Sequence, residues 1–69
     1  METSHPVGQS IRRRRKRLKM TQEQLASLTG IDKGHISRLE AGKFQPTLPT
    51  LARIAAALET TSSRLLGAA

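Results

Sequence analysis

The stretch Thr21–Glu40, TQEQLASLTGIDKGHISRLE, decides the fold. It reads as two short amphipathic segments on either side of Gly30, with the small residue Ala26 four positions before that glycine. Thr21 and Gln24 have the spacing of a capping box, in which the hydroxyl caps a helix and the amide reaches back to the cap. The first segment is therefore expected to be helical from Thr21 to about Leu28, with Gly30 ending it in a left-handed conformation that costs glycine nothing. Asp32 is a good N-cap for a second helix, Lys33 to about Ala41, closed by Gly42. That second helix turns Ile36, Leu39 and Glu40 inward. Two helices joined this tightly cross steeply and push the second one outward. In a chain of formal charge +7, a nucleic-acid groove is the natural receiver of such a helix.

Ahead of this stretch lies a dense basic run. Twelve Lys and Arg face five acids, and seven of the twelve fall between Arg12 and Lys19. Periodicity gives a first helix, Val7 through Leu18, that carries all of them but Lys19, with Val7, Ile11 and Leu18 on one face together with Arg15 and the other arginines around the remaining circumference. A charge on an apolar face is costly unless it is paired. A run of this density suits a nucleic-acid patch, but a solvated helix face or a membrane-surface helix has the same composition. Beyond Gly42, the segment GKFQPTLPT is a loop. Thr47 is placed to cap a fourth helix, whose first turn tolerates Pro49. Leu51, Ile54, Ala55 and Leu58 form its apolar stripe. A short fifth helix near Ser62–Leu66, capped by Thr61, supplies Leu65 and Leu66. Residues 1–6 are expected to form a mobile arm and residues 67–69 a short tail.

Composition removes several classes of function. Sixty-nine residues support one modest core, with room for a nucleic-acid-reading domain and none for a separate sensor. There is no cysteine, and His5 and His35 lack partners at metal-ligand spacing, so no metal site is expected. No nucleophile–base pair stands out, so catalytic residues, cofactors and a small-molecule ligand are not expected. No apolar run approaches the roughly 20 residues of a membrane span, and no signal pattern opens the chain. A cytoplasmic location away from membranes is the default.

The run QEQLASLTGIDKGHISRLEAGK, followed by PTLPTLARIAAAL and SRLL, resembles the phage-repressor-like helix-turn-helix family, the Cro/C1-type or XRE regulators. The resemblance extends over about Val7–Leu66. It implies an all-α, five-helix, lambda-repressor-like domain spanning residues 7–66. It further implies a transcriptional regulator, more often a repressor, that binds double-stranded DNA as a homodimer with its third helix in the major groove. Matched residue by residue, Lys33, Gly34, Ser37 and Arg38 take the base-reading positions. Lys33 and Arg38 can donate to guanine O6 and N7. Gly34 departs from the pattern, because a side-chain reader often stands there. Gln22, at the first turn of the second helix, matches a phosphate-binding position, as do Gly42, Lys43 and Gln45 in the loop after the third helix. Arg12 is assigned to phosphate from the basic run. Arg15 and Glu40 match positions that pair as a partly buried ion pair.

Other positions keep more than one role. His35 is open between a phosphate donor, a base reader and a side chain packed between helices; it is placed with the phosphate residues. Phe44, the only aromatic, is open between a core plug, a dimer contact and a groove-facing side chain, with a dimer or loop-packing role favoured. Dimerisation is expected around the fourth and fifth helices, through Leu58, Thr60 and Leu65 together with Phe44. Thr47 occupies the position from which some relatives send an arginine to the minor groove, and as a helix cap it leaves that role unfilled. Glu59 stands where a helix-ending glycine is common, which makes a left-handed cap less comfortable. An antitoxin-type module that neutralises a partner protein and regulates its own gene is the reading from another class. A restriction–modification controller is a further possibility among DNA binders.

Overall fold

The computed structural model describes residues 6–67, and helices are the only regular elements among them. They are α1 (Pro6–Arg17), α2 (Gln22–Thr29), α3 (Lys33–Glu40), α4 (Leu48–Ala57) and α5 (Ser62–Gly67). Most of the expected N-terminal arm and tail lies outside the described residues. Pro6 already opens α1 and Gly67 still belongs to α5, so the domain reaches one residue further at each end than expected.

The expected caps all form. Gln24 N–H donates to the Thr21 hydroxyl at 3.0 Å, and Thr21 N–H donates to the Gln24 side-chain carbonyl at 2.8 Å. Asp32 accepts from Gly34 N–H, Thr47 from Thr50 N–H and Thr61 from Arg64 N–H. Gly30, at φ 74°, ends α2 by donating to the Ala26 carbonyl. Gly42, at φ 77°, closes α3. These short helices have little stability alone, so local pairings of this kind help to fix their ends.

Two helices end on left-handed residues that are not glycine. Lys19 (φ 56°) follows α1 and Glu59 (φ 58°) follows α4. In each case the next residue reaches back to a carbonyl five positions earlier, Met20 to Arg15 and Thr60 to Ala55, the 6→1 bond of a Schellman turn. Glu59 therefore adopts the conformation that its side chain disfavours. Arg14 helps to hold it there: its guanidinium donates to the carbonyls of Leu58 and Glu59, both at 2.9 Å. An arginine at the carbonyl end of a helix also meets the favourable end of the helix dipole. The sequence places Arg14 among the outward arginines; the structure uses it to tie α1 to α4.

Packing follows from the apolar stripes. α3 lies on α1 and α2, α4 on α2 and α5, and α5 also on α1. Val7, Ile11, Leu25, Ile36, Leu39, Leu51, Ile54, Ala55, Leu58 and Leu65 form one core. Leu18, expected on the inner face of α1, is only partly buried against it. Leu66 points outward and is 49% exposed, so α5 contributes one core leucine where two were expected. α1 approaches α3 closely through Gly8, where a Cβ would stand 2.1 Å from the Leu39 carbonyl oxygen. Main chain, not side chain, sets that separation.

Replacing Gly8 by Ala should improve helix propensity by about 1 kcal/mol yet lower stability by about 1–3 kcal/mol net, because backbone must move to admit the methyl. Urea unfolding monitored by circular dichroism checks it, and an unchanged midpoint would show that α1 and α3 can part freely. Glu59→Gly should do the opposite, raising stability by about 1 kcal/mol by relieving the left-handed residue, as read from the same unfolding curves.

Candidate nucleic-acid interface

The outer face of α3 is set by what holds its inner face. Glu40 ends α3 with its carboxylate turned inward and only 3% of the side chain exposed. Arg15 comes from α1 to meet it, donating from Nε to Oε2 at 2.6 Å and from Nη2 to Oε1 at 2.9 Å. Two parallel bonds of this kind fix direction as well as distance. The third edge of the guanidinium is also occupied, since Nη1 donates to the Met20 carbonyl at 2.7 Å. Hydrogen bonding to Glu40 lifts Arg15 above the ordinary arginine value, against the desolvation that lowers it. Among the described residues no buried side-chain polar atom lacks a partner, so the charges enter the interior fully paired. The ion pair expected from the sequence is present, and it is more deeply buried than "partly".

The same carboxylate has a third ligand. Gln22 Nε2, at the first turn of α2, donates to Glu40 Oε1 at 3.0 Å. One group thus joins the ends of α1 and α3 to the start of α2. The Gln22 amide is held in place by this bond and keeps its other N–H and its carbonyl for other partners. Gln22 and Glu23 also lie in the first turn, where backbone N–H groups have no intrahelical acceptor. The Glu23 carboxylate works against an anion here, and Lys33 Nζ partly offsets it at 3.7 Å. Both side chains are largely exposed, so that pair contributes little to stability.

Lys33, Ser37 and Arg38 are exposed and Gly34 is half-buried; at helical spacing the four form one continuous outward strip. A Cβ at Gly34 would crowd the capping Asp32 Oδ2 at 2.9 Å and touch the Arg38 guanidinium at an ordinary 3.5 Å, so the missing side chain relieves the cap rather than making room for Arg38. Around the strip, Arg12 and Lys16 border the end of α3 beside Glu40 and Ala41. Lys16 and Lys19 border its start beside Gln22 and Lys33. Lys43 and Gln45 project from the loop after α3, both exposed.

Two assigned phosphate residues are placed differently. Gly42 is buried and its N–H is already donated to the Leu39 carbonyl at 3.0 Å, so it offers no backbone donor to a phosphate. His35 is half-buried, with its ring meeting Phe44 edge to face at a centroid distance of 4.9 Å. That contact packs the loop against α3. Two dimer residues are corrected as well. Leu58 is fully buried and Leu65 is 3% exposed, so both are spent on the core of one chain. The hydrophobic stripe that made them conspicuous in the sequence is the reason they are unavailable at the surface.

A capped helix pair crossing at Gly30, a buried anchor behind the second helix and a polar strip in front of it define a repressor-like helix-turn-helix domain. The Helix-turn-helix family model (HTH_3) matches residues 11–65, and the chain belongs to that family, in its XRE or Cro/C1 type. The immunity repressor protein of Bacillus phage phi105 is 36% identical over 61 residues, which cover 88% of this chain and 42% of that protein. An uncharacterized HTH-type transcriptional regulator of Methanothermobacter thermautotrophicus is 46% identical over 48 residues, 70% of each chain. Among solved structures, the P22 c2 repressor in complex with a synthetic operator superposes with a TM-score of 0.85 at 30% identity, covering 96% of this chain and 100% of that one. The chain spans less than half the length of the phi105 repressor that it matches.

Removing one partner of the buried pair leaves the other charged and unpaired, so Glu40→Ala should cost about 3 kcal/mol or more. Equilibrium unfolding measures it, and a loss under about 0.5 kcal/mol, typical of a surface pair, would contradict the anchoring role.

Proposed function

We propose that this chain is the DNA-reading domain of a transcriptional repressor, which occupies a two-fold operator as a dimer and lays α3 in the major groove. The observation that carries this reading is the division of α3: its inner edge is locked by Arg15–Glu40, and its outer strip offers Lys33, Ser37 and Arg38 with a basic rim on both sides. In this docking, residues early in the helix meet base edges. Arg38 donates to guanine O6 and N7 with its planar fork, Lys33 serves as a point donor and Ser37 accepts or donates. Gly34 offers no side-chain contact of its own and lets the backbone come close.

Phosphates bind at the rim. Arg12, Lys43 and Gln45 reach one strand from the far end of α3, and Gln22 receives the other at the N-terminus of α2. These contacts fix register and orientation, while the strip reads sequence. The P22 c2 repressor, whose structure contains operator DNA, supports the same mode here, as does the repressor name of the phi105 relative. The dimer seam falls on the outer side of α5 at exposed Leu66, two residues from Arg64 and therefore on the opposite side of that helix. Thr60 opens toward Arg64, where a second copy would bring arginine against arginine.

Selection of bound sequences from random duplex DNA tests this reading. A palindromic motif with half-sites about one helical turn apart is expected for the unaltered protein. Arg38→Ala should lose preference at one position of each half-site, worth about 1–3 kcal/mol of discrimination. No enriched motif at all would overturn specific regulation.

A further inference from the structure

The basic run of α1 is divided between two sides of the helix. Arg12 and Lys16 border α3, beside Glu40 and Ala41, and Arg13 reaches that side as well. Arg13 and Arg17, a further 100° and more around the helix at 3.6 residues per turn, border α5. There they line a groove of about 320 Å³ with Ser10, Arg14, Thr60 and Arg64. No residue of α3 lines it. Four guanidiniums from α1 and α5 therefore converge on the side away from the reading strip.

Among the described residues, no acidic group neutralises the charge that this groove holds. Among the described residues the ion pairs are Arg15–Glu40 and Lys33–Glu23, so none of the four groove arginines has a carboxylate within pairing distance. Among the described residues no acidic side chain lines the groove. Arg14 is fixed, donating to the Leu58 and Glu59 carbonyls. Among the described residues Arg13, Arg17 and Arg64 make no side-chain hydrogen bond to the rest of the domain, and all three are exposed where they line the groove. Thr60 adds a half-buried hydroxyl beside them.

We propose that this groove binds a phosphoryl oxyanion of at least two negative charges, held by Arg13, Arg17 and Arg64 with Thr60 as a further donor. A tetrahedral phosphate offers enough oxygens to engage three guanidinium forks together, whereas a carboxylate has two. Arginine is the side chain suited to such bidentate recognition, and binding relieves the mutual repulsion of like charges at close range. The same chemistry is presented by a small phosphate compound and by the backbone of a nucleic-acid segment other than the one that α3 reads. The inference concerns a different face from the proposed operator surface and stands without it.

Pyrophosphate is the probe, added to the full chain at constant ionic strength against chloride. Bound ligand should raise the Tm by about 5 °C near saturation and shift the arginine Nε–Hε resonances of Arg13, Arg17 and Arg64 more than those of Arg12 and Arg53. The double variant Arg17→Gln/Arg64→Gln, whose two side chains are exposed, should fold with the same helical spectrum and lose both responses. Arg38→Ala should keep them. A second arm uses a short duplex of random sequence. Weaker duplex binding by the double variant, with its selected motif intact, assigns the site to nucleic-acid phosphate; unchanged duplex binding with lost pyrophosphate response assigns it to a small phosphate. An unaltered melt with pyrophosphate, shifts spread evenly over all arginines, or an equal response in the double variant would overturn the site.

Discussion

A charge placed inside a small core organises this domain. Arg15 enters on the apolar side of α1 because Glu40 meets it with both carboxylate oxygens and the Met20 carbonyl takes its remaining edge. Such a pair adds little net stability over a well-packed apolar substitute, but half of it alone is strongly unfavourable. The arrangement that satisfies both groups therefore excludes other registers of α3 against α1. Gln22 extends the same constraint to α2. Three chain segments that are far apart in sequence are brought to one carboxylate, and the outer strip of α3 takes its orientation from that point.

α1 does more than carry charge. Its inner line buries Val7 and Ile11. On one flank Gly8 and Arg15 set the distance and direction of α3, and on the other Arg14 closes the carbonyl end of α4. The remaining residues lie outside these contacts, Arg12 and Lys16 toward α3, Arg17 toward α5 and Arg13 at the edge of both. A run that looks uniform in sequence thus has three separate roles, assigned by which helix each residue faces.

Much of the fold was legible because its signals are local. Thr21, Asp32, Thr47 and Thr61 announce helix starts through their own side chains, and Gly30 and Gly42 announce helix ends through their freedom to turn left. The Arg15–Glu40 pair was legible only through resemblance to a family, since nothing in helical spacing says which acid a buried arginine meets 25 residues later. Nothing in the sequence marks Gly8, because a backbone-to-backbone approach leaves no hydropathy signal. Arg14 was hidden among equal neighbours. Lys19 and Glu59 turn left against their intrinsic preference, as tertiary contacts dictate. Leu58 and Leu65 were misread because periodicity identifies an apolar residue without saying whether its partner is the same chain or another.

The contact between Gly8 and the Leu39 carbonyl has a consequence for how such a domain can change over time. α3 is spaced from α1 by main-chain atoms, which every substitution in the core leaves in place. Leucine, isoleucine and valine can trade positions behind the helix, while a glycine and a carbonyl keep its standoff nearly constant. Lys33, Ser37 and Arg38 make no contribution to that standoff, so they can be exchanged without resetting it. The outer strip and the scaffold are in this sense decoupled, and under the proposed function a new preferred sequence can be acquired on an old frame.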